Sequence, residues 1–129
     1  MKLNIIATNT APAAIGPYSQ AVQAGELLFC SGQIPLDPST GALLPGDVTV
    51  QAGQVMKNIS AMLAAAGAGF EDVIKTTIFL ADMADFAAVN EVYGSYFTAH
   101  KPARSTVAVK GLPRGALLEI EIIARVTAD

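Results

Sequence analysis

The run from Leu117 to Val126 does most to limit what this chain can become. It reads Leu-Leu-Glu-Ile-Glu-Ile-Ile-Ala-Arg-Val, and in an extended strand successive side chains point to opposite faces. One face then carries Leu118, Ile120, Ile122, Ala124 and Val126, and the other Leu117, Glu119, Glu121, Ile123 and Arg125. The uniformly apolar face belongs under helices. The mixed face is still partly apolar, yet it bears two glutamates.

The rest of the chain supplies partners for that strand. Leu3 to Ala7 suits a short first strand, Gly16-Pro17 marks a turn, and Ser19 to Gln23 with Leu27 to Gln33 reads as a hairpin around Gly25-Glu26. Pro35 to Asp47, with three prolines and two glycines, is loop. From Val48 the period changes to that of a helix, with Val48, Ala52, Val55, Ile59, Met62, Leu63 and Ala66 along one stripe, Asp47 as N-cap and Gly67 as stop. Val73 to Leu80 is β-branched and apolar on both sides, which predicts a central strand covered on both faces. A second helix opens at Asp82 or Asp85 and aligns Phe86, Val89, Tyr93 and Phe97. A strand over about Ser105 to Val109 leads through Gly111 to Gly115 into the last one. Two helices cover only one sheet face. The other face requires a second subunit, which puts Glu119 near an interface.

Composition agrees with that requirement. Of the 129 residues 52% are hydrophobic and 15% charged, against about 25% charged in an average soluble domain. No apolar run approaches the roughly 20 residues of a membrane helix. A single domain over residues 1–129 is expected, with its surplus apolar surface spent on an obligate interface. A formal net charge of −3 argues against a nucleic-acid surface, which needs clustered cations. The first ten residues are broken by Asn4, Thr8 and Asn9 and form no secretory core, so a cytoplasmic location is expected. The lone Cys30 cannot form an internal disulfide. The sequon at Asn58 falls inside a predicted helix and is read as chance.

Two residues stand out chemically. Arg104 offers a rigid fork of donors that matches a carboxylate, and Glu119, on a strand in mostly apolar surroundings, can orient or deprotonate water. Together they suggest hydrolysis of a small carboxylate. The competing reading of Arg104 is a structural or interface ion pair, and that of Glu121 a solvated face or interface pair. Tyr18 can be an interface aromatic, Ser31 a strand-end cap, and Cys30 a buried small hydrophobe. His100 sits in a loop beside Lys101-Pro102 and lacks the neighbours of a zinc site. Met56, Met62 and Met83 read as core or gap filler.

The segments Ala13-Ala14-Ile15-Gly16-Pro17-Tyr18-Ser19-Gln20-Ala21, Ser31-Gly32-Gln33-Ile34-Pro35, Val73-Ile74-Lys75-Thr76-Thr77, Val89-Asn90-Glu91-Val92-Tyr93, Pro102-Ala103-Arg104-Ser105 and Leu118-Glu119-Ile120-Glu121, taken together and in order, closely resemble the RidA (YjgF) family of reactive-intermediate deaminases. The resemblance implies a chorismate-mutase-like α+β fold, a six-stranded mixed sheet with two helices on one face. It further implies a homotrimer with a central β-barrel and active sites in the subunit clefts. The implied reaction is hydrolysis of enamine and imine intermediates such as 2-aminoacrylate to 2-oxo acids and ammonia, with no metal or organic cofactor. Arg104 would anchor the carboxylate and Glu119 would position the water. Tyr18, Ser31, Gly32 and Asn90 would line the pocket.

One position departs from the pattern. Many family members carry a cysteine two residues after the motif arginine, and here Thr106 stands there, on the same strand face as Arg104. No thiol nucleophile is available at that point, which water addition does not need. Cys30 is no substitute, because alternation sends it to the face opposite Ser31. Two other functions compete: a non-catalytic trimer that binds 2-oxo acids, and an endoribonuclease or translation inhibitor. A binder would need only Arg104, so the presence of Glu119 favours turnover.

Overall fold

A computed structural model describes residues 2–128. Its strands are β1 (Leu3–Ile6), β2 (Ala21–Ala24), β3 (Leu27–Gln33), β4 (Val73–Leu80), β5 (Ala103–Ala108) and β6 (Leu118–Arg125). Two α-helices, α1 (Val48–Ala65) and α2 (Phe86–Gly94), complete the described architecture. The strands form one sheet in the order β1-β2-β3-β6-β4-β5, with every pairing antiparallel except β4 with β5. This is the expected mixed six-stranded α+β arrangement with the helices on one face.

The helix boundaries follow their sequence signals. Asp47 accepts a hydrogen bond from the Val50 backbone N–H at the start of α1, and Gly67 takes a positive φ of 75° beyond its end. Asp82 caps a short 3-10 turn, Met83–Asp85, that leads into α2. Met83 is 45% exposed, contrary to its reading as core, because that turn lifts it off the sheet before the α2 stripe begins. Met56 and Met62 are buried as expected.

β6 is the middle of the sheet, bonded to β3 on one side and β4 on the other. Leu118, Ile120, Ile122 and Ala124 are all buried beneath the helices with Val55, Ile59, Leu63, Ile78 and Leu80. The opposite face has no cover among the described residues. Leu3, Ile5, Leu27, Phe29 and Val107 are exposed large hydrophobes, and cross-strand register puts them on the side of Glu119, Glu121 and Ile123. β4 therefore differs from expectation: Val73, Thr76, Ile78 and Leu80 are buried, whereas Lys75, Thr77 and Phe79 face the uncovered side and are only half-buried. β5 begins two residues earlier than expected, directly after Pro102, so Arg104 lies within the strand.

Buried amides tie the loops to this frame. Asn58, fully buried on α1, donates through Nδ2 to the carbonyls of Ile34 and Leu36 and accepts from Gln54 Nε2. Its sequon is thus inaccessible. Gln51 accepts from the Leu117 N–H and donates to the Leu44 carbonyl, which joins the long loop to the entry of β6. Gln20 holds the 8–18 loop through the backbone of Thr8 and the Pro12 carbonyl. No helix among the described residues is long and apolar enough to cross a membrane. Replacing Asn58 by Leu would strand two buried carbonyls, and we expect a loss of roughly 2 to 4 kcal/mol in urea unfolding; an unchanged midpoint would mean that water reaches both carbonyls.

Candidate active site

Glu119 lies on the uncovered face of β6, beside a break in the β3 ladder. The pairing of β3 with β6 runs from Cys30↔Ile122 to Gln33↔Ile120, so two residues on β3, Ser31 and Gly32, stand opposite one on β6, Glu121. That bulge at Ser31-Gly32 buries both Cys30 and Gln33 while leaving Ser31 and Gly32 half-buried. Gly32 leaves room for the Glu119 carboxylate as it is placed: a Cβ there would meet Glu119 Oε2 and Cδ and push that side chain aside. The carboxylate packs over bare backbone.

Around that carboxylate opens a cleft of about 590 Å³, whose lining includes Tyr18, Ser31, Gly32, Pro113, Glu119 and Glu121. Gly16, at φ 118°, makes the turn that carries Tyr18 in, and the Tyr18 N–H is bonded to the Gly16 carbonyl. Ser31 Oγ donates to the Ser19 carbonyl at 2.6 Å. Its proton is committed, so the oxygen is left to accept from a ligand N–H or water. Burial raises the pKa of Glu119, and the neighbouring charge of Glu121 raises it further. Such a carboxyl can take and return a proton more readily than an exposed one.

Arg104 is elsewhere. It pairs with Thr76 in the parallel β4–β5 register, and Thr76 is buried on the helix side, bonded to the Tyr93 hydroxyl at 2.7 Å. Glu119 pairs with Phe79 on the other side of β4. The two residues thus occupy opposite faces of one sheet. Arg104 lines a separate cleft of about 400 Å³ with Asn90, Tyr93, Phe97, Lys101 and Pro102. Its Nη1 donates to Asn90 Oδ1 at 2.7 Å, and its guanidinium lies 5.1 Å from the Tyr93 ring centroid and 5.6 Å from that of Phe86. Among the described residues neither Arg104 nor Glu119 is in an ion pair; the one present joins Arg125 to Asp72.

The sequence-predicted residues therefore fall into two groups. Tyr18, Ser31, Gly32 and Glu119 meet in one cleft, and Arg104 and Asn90 in the other. Asn90 contacts Arg104 directly, a relationship its motif did not signal. Thr106 shares the face of Arg104, and its Oγ1 is buried without a hydrogen-bond partner. Cys30 is buried on the helix side, where burial pushes its thiol up to about 12, well away from nucleophilic use. His100 is exposed, with Nε2 bonded to the Val73 carbonyl at 2.7 Å. Among the described residues no group of three or more His, Cys, Asp or Glu side chains could hold a metal ion. Sequence reasoning missed the bulge, for which Gly32 was the available signal, and missed Phe86 and Tyr93 as neighbours of Arg104.

Comparison with known proteins places this geometry in context. Residues 8–126 match the family model described as Endoribonuclease L-PSP. Protein DfrA of Myxococcus xanthus is 57% identical over 126 residues, covering 96% of each chain. A mouse protein named 2-iminobutanoate/2-iminopropanoate deaminase is 54% identical over 120 residues, covering 93% of this chain and 89% of its own. A crystal structure of a Rid-family protein from Yersinia pestis superposes with a TM-score of 0.95 at 48% identity, covering 97% of this chain and 100% of that one.

The raised pKa of Glu119 has a direct consequence for stability. A carboxyl whose folded pKa exceeds its unfolded one binds more protons in the native state, so stability falls as pH rises from the ordinary glutamate pKa through the raised value. Glu119→Gln should therefore melt higher than the parent at pH 7, with the gap closing below the ordinary glutamate pKa. Equal melting temperatures across that range would show that the carboxylate is better solvated than its position implies.

Proposed function

This chain belongs to the RidA (YjgF, L-PSP) family, and on that footing we propose that it is a hydrolytic deaminase converting 2-imino acids of the 2-iminopropanoate and 2-iminobutanoate kind to 2-oxo acids and ammonia. The observation that carries the reading is the Glu119 carboxylate, its pKa raised, packed over Gly32 in a cleft it shares with Tyr18 and Ser31. Named deaminases among close relatives support it.

An enamine such as 2-aminoacrylate tautomerises to an imine, which is already an activated electrophile. Glu119 takes a proton from water as the water oxygen bonds to the imine carbon. It passes that proton to the nitrogen, giving a carbinolamine, then takes the carbinolamine's hydroxyl proton and delivers it to the amino nitrogen, so that the C–N bond breaks and ammonia leaves as the carbonyl forms. Ser31 Oγ accepts from the imine N–H or the water, and Tyr18 closes the cleft. Arg104 holds the substrate carboxylate by two parallel hydrogen bonds. None of these steps draws on a metal or an organic cofactor.

Because Arg104 and Glu119 lie on opposite faces of the sheet, one chain cannot bring both to a small substrate. The reading therefore requires a site shared between subunits, one giving Arg104 and Asn90 and its neighbour giving Glu119, Tyr18, Ser31 and Gly32. A homotrimer closed through the uncovered apolar face supplies such clefts. Against the endoribonuclease description stands the charge of the chain: a net −3 with Glu119 and Glu121 lining the cleft repels a polyphosphate backbone. The reducing cytoplasm fits a lone, buried Cys30.

The test is a coupled assay in which an amino-acid oxidase generates imines and 2-oxo acid release is followed with and without the protein. We expect acceleration by the parent, and a fall of about 100-fold for Arg104→Lys, because losing a charge-assisted two-point contact costs on the order of 2 to 3 kcal/mol. No acceleration by the parent would leave a 2-oxo acid binder as the better reading. Shared sites make a second prediction: when inactive Arg104→Ala and Glu119→Gln subunits are refolded together in equal amounts, activity should return to about a quarter of the parent's, the fraction of interfaces that pair an intact arginine with an intact glutamate. Absence of any recovery would rule out the divided site.

A further inference from the structure

Phe86, Asn90 and Tyr93 stand at i, i+4 and i+7 on α2, so they share one side of the helix. In a helix packed on a sheet such a stripe ordinarily buries itself in the core. Here all three side chains converge on a single guanidinium: Asn90 Oδ1 accepts from Arg104 Nη1 at 2.7 Å, and the two rings lie at 5.1 Å and 5.6 Å. Phe86 remains 38% exposed, with its ring over the guanidinium.

The Tyr93 ring is itself fixed. Its hydroxyl meets Thr76 Oγ1 at 2.7 Å in a buried hydrogen bond, and its ring packs against Phe97 at 4.7 Å between centroids. Thr76 is the register partner of Arg104. Backbone pairing, the Thr76–Tyr93 bond and the Tyr93–Arg104 contact therefore close a ring of constraints around one side chain. A free arginine has many rotamers, and each must be given up when it binds a carboxylate by two points.

We propose that Phe86 and Tyr93 are positioning residues that fix the plane of the Arg104 guanidinium. With Asn90 holding Nη1, the Nη2–Nε edge is the one presented to a substrate carboxylate. The inference rests on the assignment of Arg104 as the carboxylate anchor. Neither ring touches the reacting atoms; both act through Arg104, by cation–π attraction and by removing its alternative rotamers before ligand arrives.

The test uses the full chain in its native assembly, labelled with ¹⁵N-arginine. In the parent, the Arg104 Nε–H resonance should be displaced by ring currents and show a high side-chain order parameter. In Phe86→Leu, a partly exposed site where the chain still folds, the displacement and the order should fall, and Phe86→Tyr should restore both. The dissociation constant for 2-oxobutanoate and KM for the imine should rise about 3-fold, with kcat also falling because the imine carbon drifts. In an Arg104→Ala background Phe86→Leu should cost no further affinity. Unchanged Arg104 order in Phe86→Leu, or an equal loss of affinity with and without Arg104, would overturn the proposal. If Arg104→Ala alone leaves 2-oxobutanoate binding intact, the anchor assignment fails, and the resonance of Arg104 still decides whether the rings hold it.

Discussion

The structure depends on β6 being apolar on one parity only. Leu118, Ile120, Ile122 and Ala124 bury against both helices and fix that strand in the middle of the sheet. The same pairing forces Glu119 and Glu121 onto the uncovered side, because alternation allows no other place for them. A one-residue slip of β6 would bury two carboxylates and expose four aliphatic side chains. Register is therefore held by the same residues that position the candidate base.

Bulge and glycine act together at that position. Regular alternation through β3 would send Gly32 toward the helices with Cys30, yet the extra residue turns Ser31 and Gly32 both toward the cleft. With Gly32 lacking a Cβ, the Glu119 carboxylate settles onto backbone and loses water on that side. Desolvation then raises its pKa, with Glu121 adding to the shift. A chain of small geometric choices thus sets the protonation behaviour of one group.

Much of this was legible in the sequence wherever a feature is local. Asp47, Gly67 and the 3.6 period mark α1 within a residue, and Gly25-Glu26 marks the first hairpin. What escaped depends on distant partners. β4 reads as buried on both faces because Ile74, Thr77 and Phe79 are apolar or β-branched, but the described residues cover only one of its faces. The bulge depends on the register of β6, more than 80 residues away in sequence. Asn58 looks like a sequon, and only the carbonyls of Ile34 and Leu36 reveal it as a brace. The motif residues Arg104 and Glu119 were identifiable by type, whereas their separation across the sheet follows from strand order and parity.

That separation suits the opposite demands of the two groups. An arginine stays charged at any physiological pH, so exposure at an edge strand costs its chemistry nothing; what it needs is orientation, which Asn90 and two rings supply. A glutamate acting on water needs its pKa raised, and that demands burial with no cation close enough to cancel the effect. Within one pocket of one chain, an arginine beside Glu119 would depress the very pKa that burial raises. Opposite faces give each group its own surroundings within the chain, and on the proposed reading a substrate carrying both a carboxylate and an imine carbon would span the arginine of one subunit and the glutamate of its neighbour.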